Sequence, residues 1–287
     1  MKRLAILFCV GFLFSACVKN NPKPIWLKIN EWDLVENPDI TASDPGDLTH
    51  NLSDAQIFVD EKLIGTFELP CRIPVLASGS KSVRIYPTIR NNGISATKKV
   101  YPFCQQYELT MDLVEGETYT INPTTYYKKS CLFWVEDFSG STLKLTQDSE
   151  TSALMAAEHD PAIALTGFYG HVHLNEANPI WEATLSNSLI LPKGGAEVYL
   201  EVDYRNDQGI LSGIFALFSG ANPTQNDHIT MNGQTGAPVW KKIYLDYKEI
   251  VSYSVNATSF LPYFRSALGS GQTSGDIYID NIRIVHY

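Results

Sequence analysis

The sequence lacks the motifs that mark the common catalytic chemistries. It contains no Gly-x-Ser-x-Gly nucleophile elbow, no His-Glu-x-x-His zinc motif, no phosphate-binding loop and no glycine-rich dinucleotide motif. Runs of basic residues are also missing, and 22 Lys and Arg stand against 31 Asp and Glu for a formal net charge of −9. An acidic chain of this kind is a poor partner for nucleic acid or for anionic lipid headgroups, because like charges repel. The sequence therefore favours a binding or structural role over catalysis.

The clearest apolar run lies at the N-terminus. Lys2 and Arg3 precede an almost wholly apolar stretch over 4–14, which Ser15-Ala16-Cys17 closes. This layout is typical of a secretory signal peptide, since a transmembrane span needs about 20 apolar residues. A cysteine after small residues resembles a bacterial lipobox, here with Phe14 in place of the more common Leu. The resemblance implies a signal peptide over 1–16 and lipidation of Cys17, with a transmembrane anchor and an ordinary cleaved signal as the alternatives.

Cysteine is scarce in the rest of the chain. Cys71, Cys104 and Cys131 are the three that follow Cys17, and no Cys-x-x-Cys pair occurs, so neither a zinc knuckle nor a thioredoxin-like site is indicated. In an oxidising compartment, three cysteines allow one disulfide with one free thiol, or three buried thiols. Cys71–Cys104 is the preferred pair, because both residues fall in the same predicted domain.

A polar tether over 17–24 leads into a first region of short strands, 25–123. Apolar and polar side chains alternate over 55–59 and 63–67, on either side of a tight turn, and again over 81–86. The segment AQIFVDEKLIGTFELP, followed by SVRIYP, resembles the PEGA family of small extracytoplasmic β-sandwich domains, with Glu61 in place of the usual turn glycine. The resemblance implies a non-catalytic spacer or interaction module.

A second region of short strands occupies 131–287. Strands separated by turns rich in Gly, Asn and Pro are expected at 131–138, 162–168, 196–204, 213–218, 239–247, 260–264 and 276–285. The strand WKKIYL and the closing strand GDIYIDNIRI resemble galactose-binding-like jelly rolls, the fold of many carbohydrate-binding modules. The predicted fold class is therefore all-β, with a small N-terminal β-sandwich followed by a C-terminal β jelly roll.

Exposed aromatic rings are the natural candidates for a ligand site in such a jelly roll, because the C–H faces of sugars stack on them. Trp181 follows a loop-like stretch and is predicted to form an exposed platform, with Tyr169, His171 and Asn226 beside it. A rim or core position for Trp181 is the alternative. Trp240 matches a core-strand position and is predicted to be buried.

Two sets of residues are candidate metal ligands. His171 and His173 share one face of a strand and could hold a metal from one side, although the sequence nominates no third ligand. The jelly-roll resemblance also implies a structural calcium ion, with Asp280 of the closing strand and Glu136 of the first strand as ligands. The alternative for Asp280 is a carboxylate that accepts hydrogen bonds from nearby amides.

These observations predict a non-enzymatic, lipid-anchored protein of the bacterial cell envelope, whose composition resembles lipoproteins of Bacteroidota. The first domain would lift the jelly roll off the membrane, and the jelly roll would bind a glycan or an envelope protein. One alternative is an accessory subunit of an outer-membrane assembly or secretion complex, and the last is a hydrolase. The basic tether VKNNPKP favours the periplasmic face of the outer membrane over the cell surface, because exported lipoproteins of this kind resemble one another in acidic residues after the cysteine.

Overall fold

The computed structural model describes residues 21–147 and 152–287. The predicted signal peptide, Cys17 and the start of the tether lie outside these ranges. The described residues are nearly all in strands and turns, and the one helix among them is α1 (Lys248–Tyr253). No helix in these ranges combines the length and the apolarity needed to cross a membrane. The predicted all-β fold class is confirmed.

Residues 25–125 form a small β-sandwich. One layer has the strand order β4-β3-β6-β7, with β8 also paired to β6, and the other has the order β5-β1-β9. The strands of this half are β1 (Ile25–Ile29), β2 (Asp33–Leu34), β3 (Asp54–Val59), β4 (Lys62–Glu68), β5 (Cys71–Val75), β6 (Gly79–Arg90), β7 (Lys98–Val100), β8 (Tyr107–Leu113), β9 (Thr118–Ile121) and β10 (Thr124–Thr125). Alternating residues such as Leu27 and Ile57 point between the layers and are fully buried.

The turn between β3 and β4 consists of Asp60 and Glu61. Both residues have positive φ angles, 44° and 54°, which is the conformation of a two-residue type I′ hairpin loop. The Asp60 carboxylate accepts the Ser82 backbone N–H at 3.0 Å and pairs with Lys81 at 2.6 Å. The loop thus adopts a conformation that favours glycine, although neither residue is glycine.

Residues 132–286 form the jelly roll. One sheet has the strand order β13-β14-β21-β16-β19 with β11 also on β21, and the other has the order β12-β15-β20-β17-β18. The strands of this half are β11 (Leu132–Glu136), β12 (Leu145–Gln147), β13 (Met155–Glu158), β14 (Tyr169–Asn175), β15 (Ile180–Leu185), β16 (Val198–Asn206), β17 (Ile210–Phe218), β18 (Ala221–Met231), β19 (Lys241–Asp246), β20 (Ser259–Ala267) and β21 (Ser274–His286). Strand β11 pairs with β21 from Leu132 opposite His286 to Glu136 opposite Ile282, so the first and last strands cover each other's edges.

One strand predicted for the jelly roll is absent. Residues 162–168 form a loop between β13 and β14 in which the Asp160 carbonyl accepts N–H groups from Ile163 and Ala164. The sequence predicts a strand there, but the local hydrogen bonds close a turn instead. We call residues 159–168 the covering loop, because it lies over the outer face of the β14–β21–β16 sheet.

The two sandwiches share a hydrophobic contact. Tyr199 and Tyr244 point out of the jelly roll, and their rings lie 5.5 Å and 4.9 Å from the ring of Tyr101 in the N-terminal sandwich. All three side chains are essentially buried, and Val285 and Phe103 belong to the same cluster. The outer face of β16, β19 and β21 is therefore a domain interface and not a solvent face.

Cys71, Cys104 and Cys131 are free thiols, so the predicted Cys71–Cys104 disulfide is wrong. Cys71 lies on edge strand β5, opposite Ile29. Cys104 instead pairs with Tyr127 as an isolated antiparallel β-bridge of the backbone, close to the domain interface. Cys104 and Cys131 are buried, and burial raises the pKa of Cys131 to about 12. The alternative of three thiols agrees with the structure, with Cys71 only half-buried.

Candidate functional site

A cleft of about 700 Å³ opens between the two sandwiches. The N-terminal sandwich contributes the segment 49–51 and Arg90 at the end of β6, and the jelly roll contributes Asp203, Trp240 and residues 241–244. Leu165 of the covering loop also lines it, as do Gly93 and Tyr204. We call this space the interdomain cleft.

Charged residues of the jelly roll form the floor next to this cleft. Strand β16 alternates, so that Leu200 and Val202 enter the core while Glu201 and Asp203 point outward under the N-terminal sandwich. Glu201 is fully buried, and its Oε2 lies 2.7 Å from Nη1 of Arg283 and 3.4 Å from Nζ of Lys242. These buried charges are tolerated because each has an opposite charge in contact.

Tyr101 of the N-terminal sandwich and Tyr127, just after its last strand, complete this ionic cluster. Tyr127 donates to Glu201 at 2.8 Å, and Tyr101 donates to the same carboxylate. Burial alone would raise the pKa of Glu201, but Arg283, Lys242 and the two hydroxyl groups bring it below its ordinary value. Glu201 is therefore ionised at neutral pH and joins the two halves of the protein.

Trp240 provides the aromatic wall of the interdomain cleft. It directly precedes β19 and is partly exposed, and its Nε1 donates to the Ile163 carbonyl of the covering loop at 2.6 Å. The prediction that Trp240 is buried is wrong. The alternation of WKKIYL contains the signal, because Trp240 falls on the same face as Lys242 while Ile243 falls on the core face.

Polar groups line the opposite wall. His50 Nδ1 accepts the Leu52 N–H at 3.4 Å, which leaves Nε2 of the neutral ring as a donor. Burial, and secondarily the charge of Lys242, lowers the pKa of His50, so the ring is neutral at pH 7. Nδ2 of Asn51 donates a hydrogen bond to the Lys242 carbonyl at 3.1 Å. Its side-chain oxygen remains an acceptor.

Most charges around the cleft are paired. Arg90 Nη2 lies 2.7 Å from Glu68, and Lys242 Nζ lies 3.3 Å from Asp203. Lys241 is exposed and has no carboxylate within 4.0 Å in the described ranges. Apart from Lys241, the cleft presents hydrogen-bonding groups beside an indole with little net charge, which suits a neutral, hydroxyl-rich ligand.

Two carboxylates near the cleft resemble an acid/base pair. Asp203 and Asp280 are cross-strand neighbours in β16 and β21, and burial raises the pKa of Asp280 to about 7. Glycosidases use two carboxyl groups with separated pKa values. Asp280, however, is fully buried and does not line the cleft, and Thr166 donates to it at 3.0 Å. Since Asp203 also accepts a bond from Thr49, the pair is engaged within the protein.

Trp181 is fully buried, so its predicted role as an exposed platform is wrong. In β15 the flanking residues Ile180 and Glu182 point outward, which turns Trp181 into the core against Phe264, with ring centroids 6.5 Å apart. Asn226 lies on β18 of the same sheet and donates to the carbonyls of Ile214 and Thr224. It does not lie beside Tyr169 or His171, which belong to the other sheet.

Tyr169 and His171 do lie together, on β14. Tyr169 is buried, whereas His171 stacks on Tyr278 with centroids 4.6 Å apart and planes 9° apart. His171 contacts Glu158 through Nδ1 and Asp276 through Nε2, both at 2.9 Å. These partners occupy both ring nitrogens, so His171 has no free donor for a ligand in this arrangement.

His171 and His173 share a face of β14, as the sequence predicts, and both contact Oδ1 of Asp276 at 2.9 Å. Over residues 21–147 and 152–287, no group of three His, Cys, Asp or Glu side chains is arranged to hold a metal ion. Hydrogen bonding, and not metal binding, is what this geometry supports.

The two predicted calcium ligands are not brought together. Glu136 accepts backbone N–H groups from Phe138, at 2.8 Å, and from Lys144. Asp280 accepts hydrogen bonds from the hydroxyl of Thr166 in the covering loop, at 3.0 Å, and from the Asn281 N–H, at 2.7 Å. Each carboxylate therefore stabilises a local backbone turn, and calcium binding at either one stays a prediction.

Comparisons with known proteins give structural likenesses only. No family model matches the chain, and no curated protein matches it. A CBM22-2 xylan-binding domain from Paenibacillus barcinonensis Xyn10C is 16% identical with a TM-score of 0.40, over 54% of this chain and 99% of that domain. A structure described as carbohydrate-binding modules from the β-sandwich superfamily is 15% identical with a TM-score of 0.38, over 79% of this chain and 83% of that one. The enzymatically active domain of bacteriophage CBA120 tailspike protein 4 is 17% identical with a TM-score of 0.38, over 52% of this chain, which spans only 20% of that protein's length.

Proposed function

We propose that this protein is a non-catalytic carbohydrate-binding protein that holds a neutral glycan in the interdomain cleft. The observation that carries the proposal is the partly exposed indole of Trp240, which faces a cleft in which most charges are paired. An indole face and hydroxyl-binding side chains are the two elements that sugar recognition needs. Binding, not hydrolysis, is proposed because Asp203 and Asp280 are both engaged within the protein.

The dimensions and the donors of the cleft agree with this role. A volume of about 700 Å³ lies within the usual range of small-ligand sites, roughly 300–1,000 Å³. The ring N–H of His50 and the amide oxygen of Asn51 can bind sugar hydroxyls around the ring that stacks on Trp240. Because both sandwiches contribute groups, the ligand would contact the two halves at once.

The test is a glycan array with neutral and uronic-acid oligosaccharides, followed by calorimetry on each hit. Trp240→Ala should weaken binding about tenfold or more, since loss of stacking and of buried ring area exceeds about 1.4 kcal/mol. Trp26→Ala is the matched control, because Trp26 is also partly exposed but lies on β1, beneath Arg72 at 3.9 Å.

Four outcomes would contradict the proposal: equal losses in the two tryptophan variants, binding of uronic-acid ligands alone, release of shortened oligosaccharides, or an unchanged affinity in Trp240→Ala. The thermal midpoints of both variants, measured alongside, separate a binding loss from an unfolding loss. An unchanged affinity in Trp240→Ala would mean that the glycan binds outside the interdomain cleft.

The location of the protein is part of the same proposal. Lipidation of Cys17 would hold the chain in the bacterial envelope, in the outer membrane and on its periplasmic side. The lipobox-like Ser15-Ala16-Cys17 and the basic tether that follows it support this location. A glycan-binding protein fixed to a membrane would raise the local concentration of its ligand there.

A further inference from the structure

A second groove, of about 690 Å³, opens at the other end of the N-terminal sandwich. It lies between β4 and β5, which are edge strands of the two layers. Leu63 and Leu76 line it and are 50% and 69% exposed, and Val114 in the adjacent β8–β9 turn is 60% exposed. Single exposed apolar side chains are ordinary, but three at one end of a domain form a patch that fits an apolar partner.

The chain begins its fold at this same groove. Pro22 and Lys23 line it, and the Lys23 N–H donates to Glu115 at 3.4 Å. Cys17 precedes Pro22 by five residues, so even in a fully extended chain their Cα atoms are at most about 18 Å apart. Any acyl chain on Cys17 would therefore enter the bilayer close to the apolar patch.

We propose that this end of the N-terminal sandwich rests on the phospholipid bilayer, with Leu63, Leu76 and Val114 at the level of the upper acyl chains. The inference rests on the lipid anchoring proposed above. Lysines with long apolar stems stand in the groove, where such side chains reach headgroup phosphates: they are Lys23, Lys62 and Lys81.

The charge of this surface permits contact with a membrane. Lys81 pairs with Asp60 at 2.6 Å, and the carboxylates of Asp60 and Glu115 stand among the three groove lysines. The patch is therefore close to neutral, although the whole chain has a formal charge of −9. Apolar contact should consequently drive the docking, with a small dependence on the fraction of anionic lipid.

Strand β6 connects this surface to the interdomain cleft. Lys81 lines the groove and Arg90 lines the cleft, and the two residues are nine positions apart along β6, a distance of about 30 Å. With the groove on the bilayer, the cleft would stand about that distance above the headgroups. This geometry gives the N-terminal sandwich the spacer role that the sequence predicts.

The experiment uses the mature, lipidated protein, purified from cells and reconstituted into phosphatidylethanolamine–phosphatidylglycerol vesicles that contain a diazirine phospholipid. After irradiation, crosslinked peptides should contain residues 62–64, 76–78 and 114. The double variant Leu63→Glu/Leu76→Glu should lose these crosslinks about tenfold, because charged groups do not enter the acyl region. Ile190→Glu/Val255→Glu, at 83% and 70% exposed sites of the jelly roll, is the matched control.

The outcomes separate this inference from the anchoring on which it rests. Protein that fails to float with vesicles would contradict anchoring itself. Protein that floats but is crosslinked only upstream of residue 22 would overturn the docking surface while anchoring stands, as would equal crosslinking in the two double variants. The positions of the wild-type crosslinks show whether this end of the N-terminal sandwich contacts the bilayer, even if the glutamate variant folds poorly.

Discussion

Arg283 is the residue whose loss should most strongly weaken the contact between the two sandwiches. It is fully buried, and its Nη1 lies 2.7 Å from Glu201 and 3.0 Å from the Tyr127 hydroxyl. Its Nε and Nη2 each donate at 2.6 Å to the carbonyls of Pro45 and Asp47. Replacement by methionine keeps an apolar stem of similar length and removes every donor.

The size of the expected destabilisation follows from the contacts that Glu201 keeps when Arg283 is replaced. Removing one partner of a buried ion pair costs about 3–5 kcal/mol, because the other charge stays buried without compensation. Lys242 still lies 3.4 Å from Glu201 and supplies part of the lost attraction. We therefore expect Arg283→Met to lower the free energy of unfolding by about 3–4 kcal/mol, a large share of the 5–15 kcal/mol typical of folded domains.

Urea denaturation followed by tryptophan fluorescence measures this loss. Arg265→Met is the control, since Arg265 is 42% exposed and pairs with Glu182 at 2.5 Å, and exposed pairs contribute at most about 1 kcal/mol. Adding Glu201→Gln to Arg283→Met should recover part of the loss, because the uncompensated charge is gone. The reasoning is refuted if Arg283→Met costs no more than the control, or if the two changes at the interface are additive.

Two further changes test single residues. Burial raises the pKa of Asp280 from an ordinary 3.8 to about 7, so the native state holds a proton between pH 4 and pH 7 that the unfolded state releases. The stability of Asp280→Asn relative to the unmodified protein should accordingly grow across that window and level off above it, and a difference that is constant from pH 4 to pH 8 would contradict this. Glu61→Gly should raise the free energy of unfolding by about 0.5–1 kcal/mol, because relief of the left-handed φ of 54° outweighs the greater freedom of glycine in the unfolded chain. Its pair with Arg84 is 86% exposed at Glu61 and contributes little, so a lower urea midpoint would argue against strain in the turn.

The alternation of side chains was enough to predict the fold class, but it did not identify the residues of the interdomain cleft. Period-two patterns in β16 and β21 indicate strands, because the same side chains cannot form one apolar stripe on a helix. The pattern leaves open which face of a strand meets the core. For Trp181 and Trp240 the assignments were reversed: Trp181 is buried and Trp240 lines the cleft.

The interdomain cleft depends on contacts between residues far apart in the chain. Thr49 contacts Asp203, and Asn51 contacts Lys242, across more than 150 sequence positions. Glu201 alternates with apolar residues in β16, and such a pattern ordinarily predicts a solvent-exposed carboxylate. Glu201 is buried because the N-terminal sandwich docks over it, and no local pattern in β16 specifies that docking. A buried charge of this kind can be recognised only when its partners in the other domain are known.

Under the proposed function, ligand binding and the docking of the two sandwiches are linked, because both sandwiches contribute walls to the cleft. His50 and Arg90 belong to one half, whereas Trp240 and Lys241 belong to the other. A glycan that contacts both walls binds the docked arrangement and not the separated one, so at a hundred times its Kd it would stabilise docking by about 2.7 kcal/mol. Arg283→Met should therefore weaken glycan binding as well as folding, and saturating glycan should restore part of the lost stability. A substitution in the buried ionic cluster would thus lower the affinity for the ligand without removing any group that contacts the ligand.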